Sequence, residues 1–128
     1  TYTITMDNPD YILLGNATST VINLASSTVE AKLTLAPKLT DSLLITVKDG
    51  AGLPISNANI ELLQSTTTIA TEITGPGTAA CRQEGQALFN NLISETYNII
   101  VSKSGYQDYT ELINLGSAWL EKEIILNP

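Results

Sequence analysis

The sequence predicts an all-β protein built as an antiparallel β-sandwich, and three observations carry that expectation. Apolar residues recur with period two: Tyr2, Ile4 and Met6 against three threonines, then Val29, Ala31, Leu33 and Leu35 against Thr28, Glu30, Lys32 and Thr34. A pleated strand sends successive side chains to opposite faces, so this alternation marks strands with one buried face. Turn formers punctuate the pattern at short intervals: Asp49-Gly50, Gly52-Leu53-Pro54, Gly75-Pro76-Gly77, Ser104-Gly105 and Leu115-Gly116. The polar positions are filled mainly by Thr, Ser and Asn rather than Lys and Glu. Thr, Ile and Val are stiff at the first side-chain torsion and fit a pleated surface better than a helix.

The expected strands follow in order. TYTITM (1–6) and TVEAKLTLA (28–36) alternate as described. SLLITVK (42–48) and ANIELLQ (58–64) flank the Asp-Gly and Gly-Leu-Pro turn signals. A short strand is expected near Thr68–Ile73, followed by a long irregular loop through GPGTAACRQEG. GQALF (85–89), YNIIVSK (97–103), DYTELINL (108–115) and AWLEKEIIL (118–126) complete the set.

The chain also repeats itself. INLASSTVEAKLTLAP (22–37) aligns without a gap on INLGSAWLEKEIILNP (113–128), with seven of sixteen positions identical. Upstream, Thr1, Tyr2, Ile4 and Tyr11 match Thr96, Tyr97, Ile99 and Tyr106. Four extra residues follow Tyr11 in the first copy, and a loop tolerates such an insertion at little cost. Shared composition explains a shared alternation but not Tyr-x8-Tyr followed by INL-x12-Pro, so the two segments are read as copies of one unit. Residues 1–37 then correspond to the last part of a first module, 38–41 to a linker, and 42–128 to a complete module. The counterpart of 38–95 is expected upstream of Thr1 or from elsewhere.

Composition excludes several function classes. Hydrophobic residues make up 43% of the chain and charged residues 15%, too apolar and too weakly charged for a disordered segment. The net charge of −7 repels phosphate backbones and anionic lipid, which argues against nucleic-acid or membrane-surface binding. No apolar run reaches membrane-spanning length. The single Cys81 cannot form an internal disulfide and is read as an inert thiol, with an intermolecular bridge as the alternative.

LLITVKDGAGLPISNANIEL (43–62) and GQALFNNLISETYNIIVSKSGY (85–106) resemble carboxypeptidase regulatory-like domains, which are transthyretin-like β-sandwiches. Asp49-Gly50, Gly52-Leu53-Pro54 and Asn57-Ala58 occupy the places of that family's first hairpin. Gly85, Phe89, Leu92, Tyr97, Val101 and Gly105-Tyr106 match its later half in order. The first hairpin also resembles immunoglobulin-like modules of bacterial surface proteins, so a transthyretin-like or immunoglobulin-like Greek key is expected. The resemblance implies modules repeated in tandem as spacers, stalks, adhesin segments or parts of pili.

Catalytic chemistry finds little support. The chain has no His, which removes Ser-His and Cys-His pairs and imidazole metal sites. Glu121 and Glu123 share a strand face, with Glu30 the counterpart of Glu121, and are read as a solvated face rather than glycosidase acids. Asp7, Asn8 and Asp10 crowd one turn without calcium-loop spacing. No cofactor or metal is expected, and the chain is read as a non-enzyme.

Three other candidates remain. Collagen-adhesin B-type sandwiches join a first-strand Lys to a last-strand Asn beside a central acid. Lys48 and Asn127 fill the outer two places here, but Val101 and Ser102 stand where the acid is expected. Asn16-Ala17-Thr18 is an N-glycosylation sequon in the inserted loop. Trp119, Tyr106 and Tyr109 are the candidate aromatic contact surface. The expected function is a structural or adhesive module of an extracellular appendage, filament or stalk. Its partners would be copies of itself or adjacent modules, with strands paired between subunits. The alternative is a carbohydrate-binding accessory module that uses these aromatics on glycans.

Overall fold

The structure, a computed structural model, describes residues 2–5, 11–13, 19–22, 35–37, 39–76 and 83–128. No helix occurs among them, so none is long and apolar enough to cross a membrane. The chain divides into two units, Thr1–Lys38 and Leu39–Pro128.

The second unit is a β-sandwich of seven strands: β5 (Leu43–Asp49), β6 (Asn59–Gln64), β7 (Thr67–Ile73), β8 (Gln86–Phe89), β9 (Thr96–Ser102), β10 (Tyr109–Asn114) and β11 (Leu120–Leu126). One sheet has the order β10-β9-β6-β7 and the other β11-β5-β8. The first and second strands lie in opposite sheets, whereas an immunoglobulin constant-type sandwich keeps them together. One pairing departs from the antiparallel expectation. β11 runs parallel to β5, from Leu120↔Leu43 to Leu126↔Asp49. Only strands joined by a tight hairpin must be antiparallel, and these two are the ends of the unit.

The alternation places the core. Leu43, Ile45 and Val47 of β5 and Ile124 and Leu126 of β11 face Ile60 and Leu62 of β6 and Tyr97, Ile99 and Val101 of β9. Each is at most 1% exposed, and burial of each apolar side chain contributes roughly 1.5–3 kcal/mol. Ile55, Ala58, Leu92 and Leu115 cover the ends from loops. Tyr97 is fully buried at the start of β9, and its hydroxyl donates to the Ile93 carbonyl at 2.8 Å. That is the geometry of a tyrosine corner, which pins a strand to the chain just upstream.

Two small residues hold the β5–β6 and β7–β8 connections together. Thr74 is fully buried; its hydroxyl accepts from Ala58 N at 2.8 Å and donates to the Ile55 carbonyl at 2.7 Å. Gly85 has φ +76°, and a Cβ there would lie 2.7 Å from Pro54 Cβ and 2.8 Å from the Val47 carbonyl oxygen. Only glycine lets this backbone pass so close to β5.

The turn after β5 differs from the Asp49-Gly50 expectation. Positive φ falls on Gly52, at +83°, rather than on Gly50. Asp49 Oδ1 accepts from Ala51 N and Leu53 N, each at 2.9 Å, so the aspartate organises a longer loop than a two-residue turn. Gly105 takes the left-handed geometry expected of it, with φ +88°.

The first unit contains β1 (Tyr2–Thr5), β2 (Tyr11–Leu13), β3 (Ser19–Ile22) and β4 (Leu35–Pro37). β1 pairs antiparallel with β3, and β2 with β4. β2 and β3 were not expected from the pattern, because YIL and STVI are too short to show a period. Of the strand expected at 28–36, only Leu35 and Ala36 lie within the described residues. The repeat reappears in the pairing. Tyr2↔Ile22, Thr3↔Val21, Ile4↔Thr20 and Thr5↔Ser19 reproduce Tyr97↔Ile113, Asn98↔Leu112, Ile99↔Glu111 and Ile100↔Thr110.

Candidate functional site

A wide, shallow groove lies where β6 begins and β9 ends, with a cavity volume of about 550 Å³. Asn57, Asn59, Ser102, Lys103, Tyr106 and Asp108 line it. The turn after β9 builds one wall: Gly105 reverses the chain, and Tyr106 N closes the reversal onto the Lys103 carbonyl at 3.0 Å. Gln107 N then donates to the Asn127 carbonyl at 2.8 Å, which ties the turn to the end of β11. On the other wall Asn57 sits at φ +56°, and its carbonyl accepts from Lys103 Nζ at 3.2 Å. Asn59 Nδ2 donates to Glu61 Oε1 at 3.0 Å. The lining is therefore amide, hydroxyl, one aromatic ring, one ammonium and one carboxylate. Such a surface can hydrogen-bond a polar ligand.

A second polar cluster closes one open side of the sandwich. Glu111 of edge strand β10 takes a bond from the Tyr109 hydroxyl on Oε2 and from Lys122 Nζ of edge strand β11 on Oε1, the latter at 2.6 Å. Lys122 and Glu111 therefore link the two sheets. The hydrogen bond to the Glu111 carboxylate, with burial and the adjacent negative charge, pushes the Tyr109 phenol up to about 12. The bonds from Lys122 and then Tyr109 hold the Glu111 carboxyl below its ordinary value, outweighing its partial burial. The cluster reads as a structural latch. Its signal in the sequence is Lys122, a cation on the apolar phase of AWLEKEIIL.

The three aromatics expected to share a surface are dispersed. Tyr106 lines the groove, Tyr109 belongs to the latch, and Trp119 precedes β11 with its indole Nε1 donating to Glu121 Oε1 at 2.8 Å. Gln107 meets the far end of β11, at Asn127, so Trp119 and the Tyr106 turn are roughly 20–25 Å apart along the strand. No platform of three rings exists.

Lys48 stands opposite Ile125 in register, two residues from Asn127 along β11. Lys48 Nζ pairs with Glu123 on the solvent side of the sheet, while Asn127 Oδ1 lies beside Gly50. Asn16, Cys81 and the Asp7–Asp10 turn lie outside the described residues. Among the described residues no cluster of three His, Cys, Asp or Glu side chains is placed to hold a metal ion.

Fold and groove together define a β-sandwich protein with a polar surface cleft. The chain matches no protein-family model, and no curated protein is similar enough to serve as a relative.

Proposed function

We propose that the chain is a non-enzymatic structural module of an extracellular appendage, filament or stalk, in which transthyretin-like sandwiches follow one another. One observation carries this reading: the first unit repeats the β9–β10 pairing register of the second, residue for residue, as tandem copies of one module would. The Thr- and Ser-rich strands fit a spacer. The carboxypeptidase regulatory-like resemblance at Gly52, Pro54, Gly85, Tyr97 and Gly105-Tyr106 supports it. Negative-stain electron microscopy with light scattering tests the reading. Regular fibres or defined oligomers at rising concentration are expected, and a monodisperse monomer throughout counts against it.

The groove favours a second reading, an accessory module that binds a saccharide. A single Tyr106 ring among amides, hydroxyls, the Lys103 ammonium and the Asp108 carboxylate can stack on a sugar, whose hydroxyls would bond Asn57, Asn59 and Asp108. Glycan-array binding that is lost in Tyr106→Ala and kept in Trp119→Ala would support it. No binding, or binding that depends on Trp119 instead, would remove it.

A further inference from the structure

We propose that the outer face of the β10-β9-β6-β7 sheet joins two copies of this chain face to face as a weak dimer. The registers set the outward side chains of that sheet in rows. Leu112, Asn98, Leu63 and Thr68 form one row, and Thr110, Ile100, Glu61 and Thr71 form the next. Leu112 is 71% exposed, more than any other large apolar side chain among the described residues. Ile100 and Leu63 are half-buried beside it, and Ile73 of the same face is exposed. Asn98, between Leu112 and Leu63, has its amide oxygen already buried and unpartnered, so covering the row does not desolvate that oxygen again.

Charge points to a second copy as the occupant. The chain carries a net charge of −7, so two copies repel wherever their carboxylates meet. At the outward positions of these four strands Glu61 alone is charged, and Asn59 Nδ2 donates to one of its oxygens. The remaining outward positions are Thr, Ser, Asn, Leu and Ile. The outer face of the other sheet instead presents Glu121 and Glu123 on β11, with Lys48 on β5. A cationic partner would seek those carboxylates, whereas a copy of this acidic chain can come close only on the charge-poor face.

The size of the face sets the strength. Four strands of six or seven residues, about 4.8 Å apart, cover roughly 400 Å² per copy in projection and more in accessible surface. Two copies together bury about 1,000 Å², the size of a transient contact rather than an obligate one. The same patch serves both copies, so the contact closes on itself and stops at two. The dimer does not depend on the appendage reading. Fibres or oligomers that survive Leu112→Asp would leave that reading standing and remove this face.

The test is sedimentation equilibrium of the full chain, up to about 1 mM protein, at low and at high NaCl. A dimer is expected, and the higher salt should tighten it at least about threefold, because screening removes repulsion between the copies. Leu112→Asp should weaken it at least about tenfold. Ile125→Asp adds the same charge to the outer face of the other sheet, at a position 49% exposed, and should change it less than about twofold. Thr110→Glu repeats the loss at an exposed polar position, which keeps the test open if Leu112→Asp unfolds the chain. A photoreactive benzophenone side chain at position 110 should crosslink to β6, β9 or β10 of a second copy. The proposal is overturned if the chain stays monomeric at high salt, or if Leu112→Asp and Ile125→Asp weaken the dimer equally. Crosslinks confined to one chain, as when residues 1–38 cover the face, overturn it too.

Discussion

At the scale of single residues, stability rests on positions whose chemistry is small. Replacing Gly85 by Ala forces a side chain into a left-handed backbone and into contact with Pro54 and the Val47 carbonyl, both part of the sandwich. A loss of about 3 kcal/mol or more is expected in urea unfolding. Thr74→Val keeps the shape and removes a hydroxyl that serves two buried backbone groups, Ala58 N and the Ile55 carbonyl. Each group left unpaired costs about 1–3 kcal/mol, so about 3 kcal/mol should be lost, and Thr74→Ser should recover most of it. A Val variant as stable as the parent would show that these groups find other partners. The sequence announces Gly85 by its place after an irregular loop, but not its contact with Pro54. Thr74 is invisible there, because a threonine in a Thr-rich chain reads as one more strand residue. Lys48 shows the converse: its strand position suggests a cross-link to Asn127, and the structure gives its ammonium Glu123 as a partner. Intact mass spectrometry should therefore return the unmodified chain, and a deficit of one ammonia would reverse this conclusion.

At the scale of elements, the latch joining β10 to β11 makes stability depend on pH at both ends of the scale. Glu111 has a lowered carboxyl pKa in the folded chain, so its contribution is present above the ordinary value of 4.5 and fades as pH falls through the lowered one. Tyr109 is the opposite case. Its phenol is raised from 10.0 to about 12, so the folded chain holds the proton more tightly than the unfolded one. The stabilisation is full below about pH 10 and disappears between 10 and about 12. Thermal melts across pH should show both declines. Tyr109→Phe should remove the alkaline one, and Glu111→Gln should remove both. An alkaline decline that survives in Tyr109→Phe would assign it to another group. Inward-pointing charges on edge strands also discourage pairing with a second sheet, and Glu111 and Lys122 stand on the two edges of this side. The period-two pattern located β5, β6 and β9 to β11 because alternate positions there face the core, whereas β7 has no buried residue. It could not show that Lys122 on an apolar phase has a partner, since that partner lies on the opposite sheet. Nor could it show which sheet each strand joins, or that β11 runs parallel to β5, since alternation is blind to strand direction.

At the scale of the whole molecule, the sequence repeat and the paired strands describe the same relation at two levels. Tyr2 and Ile22 matched Tyr97 and Ile113 as letters, and the structure makes each couple a cross-strand pair. The repeat was legible because it preserves residues at a corner, where turn geometry restricts the choice. The groove was not, because its lining comes from the start of β6, the end of β9 and the turn between Lys103 and Asp108, which no local pattern connects. β5, β6 and β9 each have strands on both sides and fully buried side chains facing the other sheet, whereas β1 to β4 form two sheets of two strands among the described residues. Cooperative opening follows buried contact and paired backbone, so exchange rates should separate the units. Hydrogen exchange by mass spectrometry is expected to place the amides of Leu43–Asp49 and Thr96–Ser102 in the slowest class, opening only when the sandwich unfolds. The amides of Tyr2–Thr5 and Ser19–Ile22 should exchange at least about a hundredfold faster in the free chain. Added urea should lift the slow class in one step at the global transition and leave the fast class nearly unchanged. If both classes rise together, the two units unfold as one.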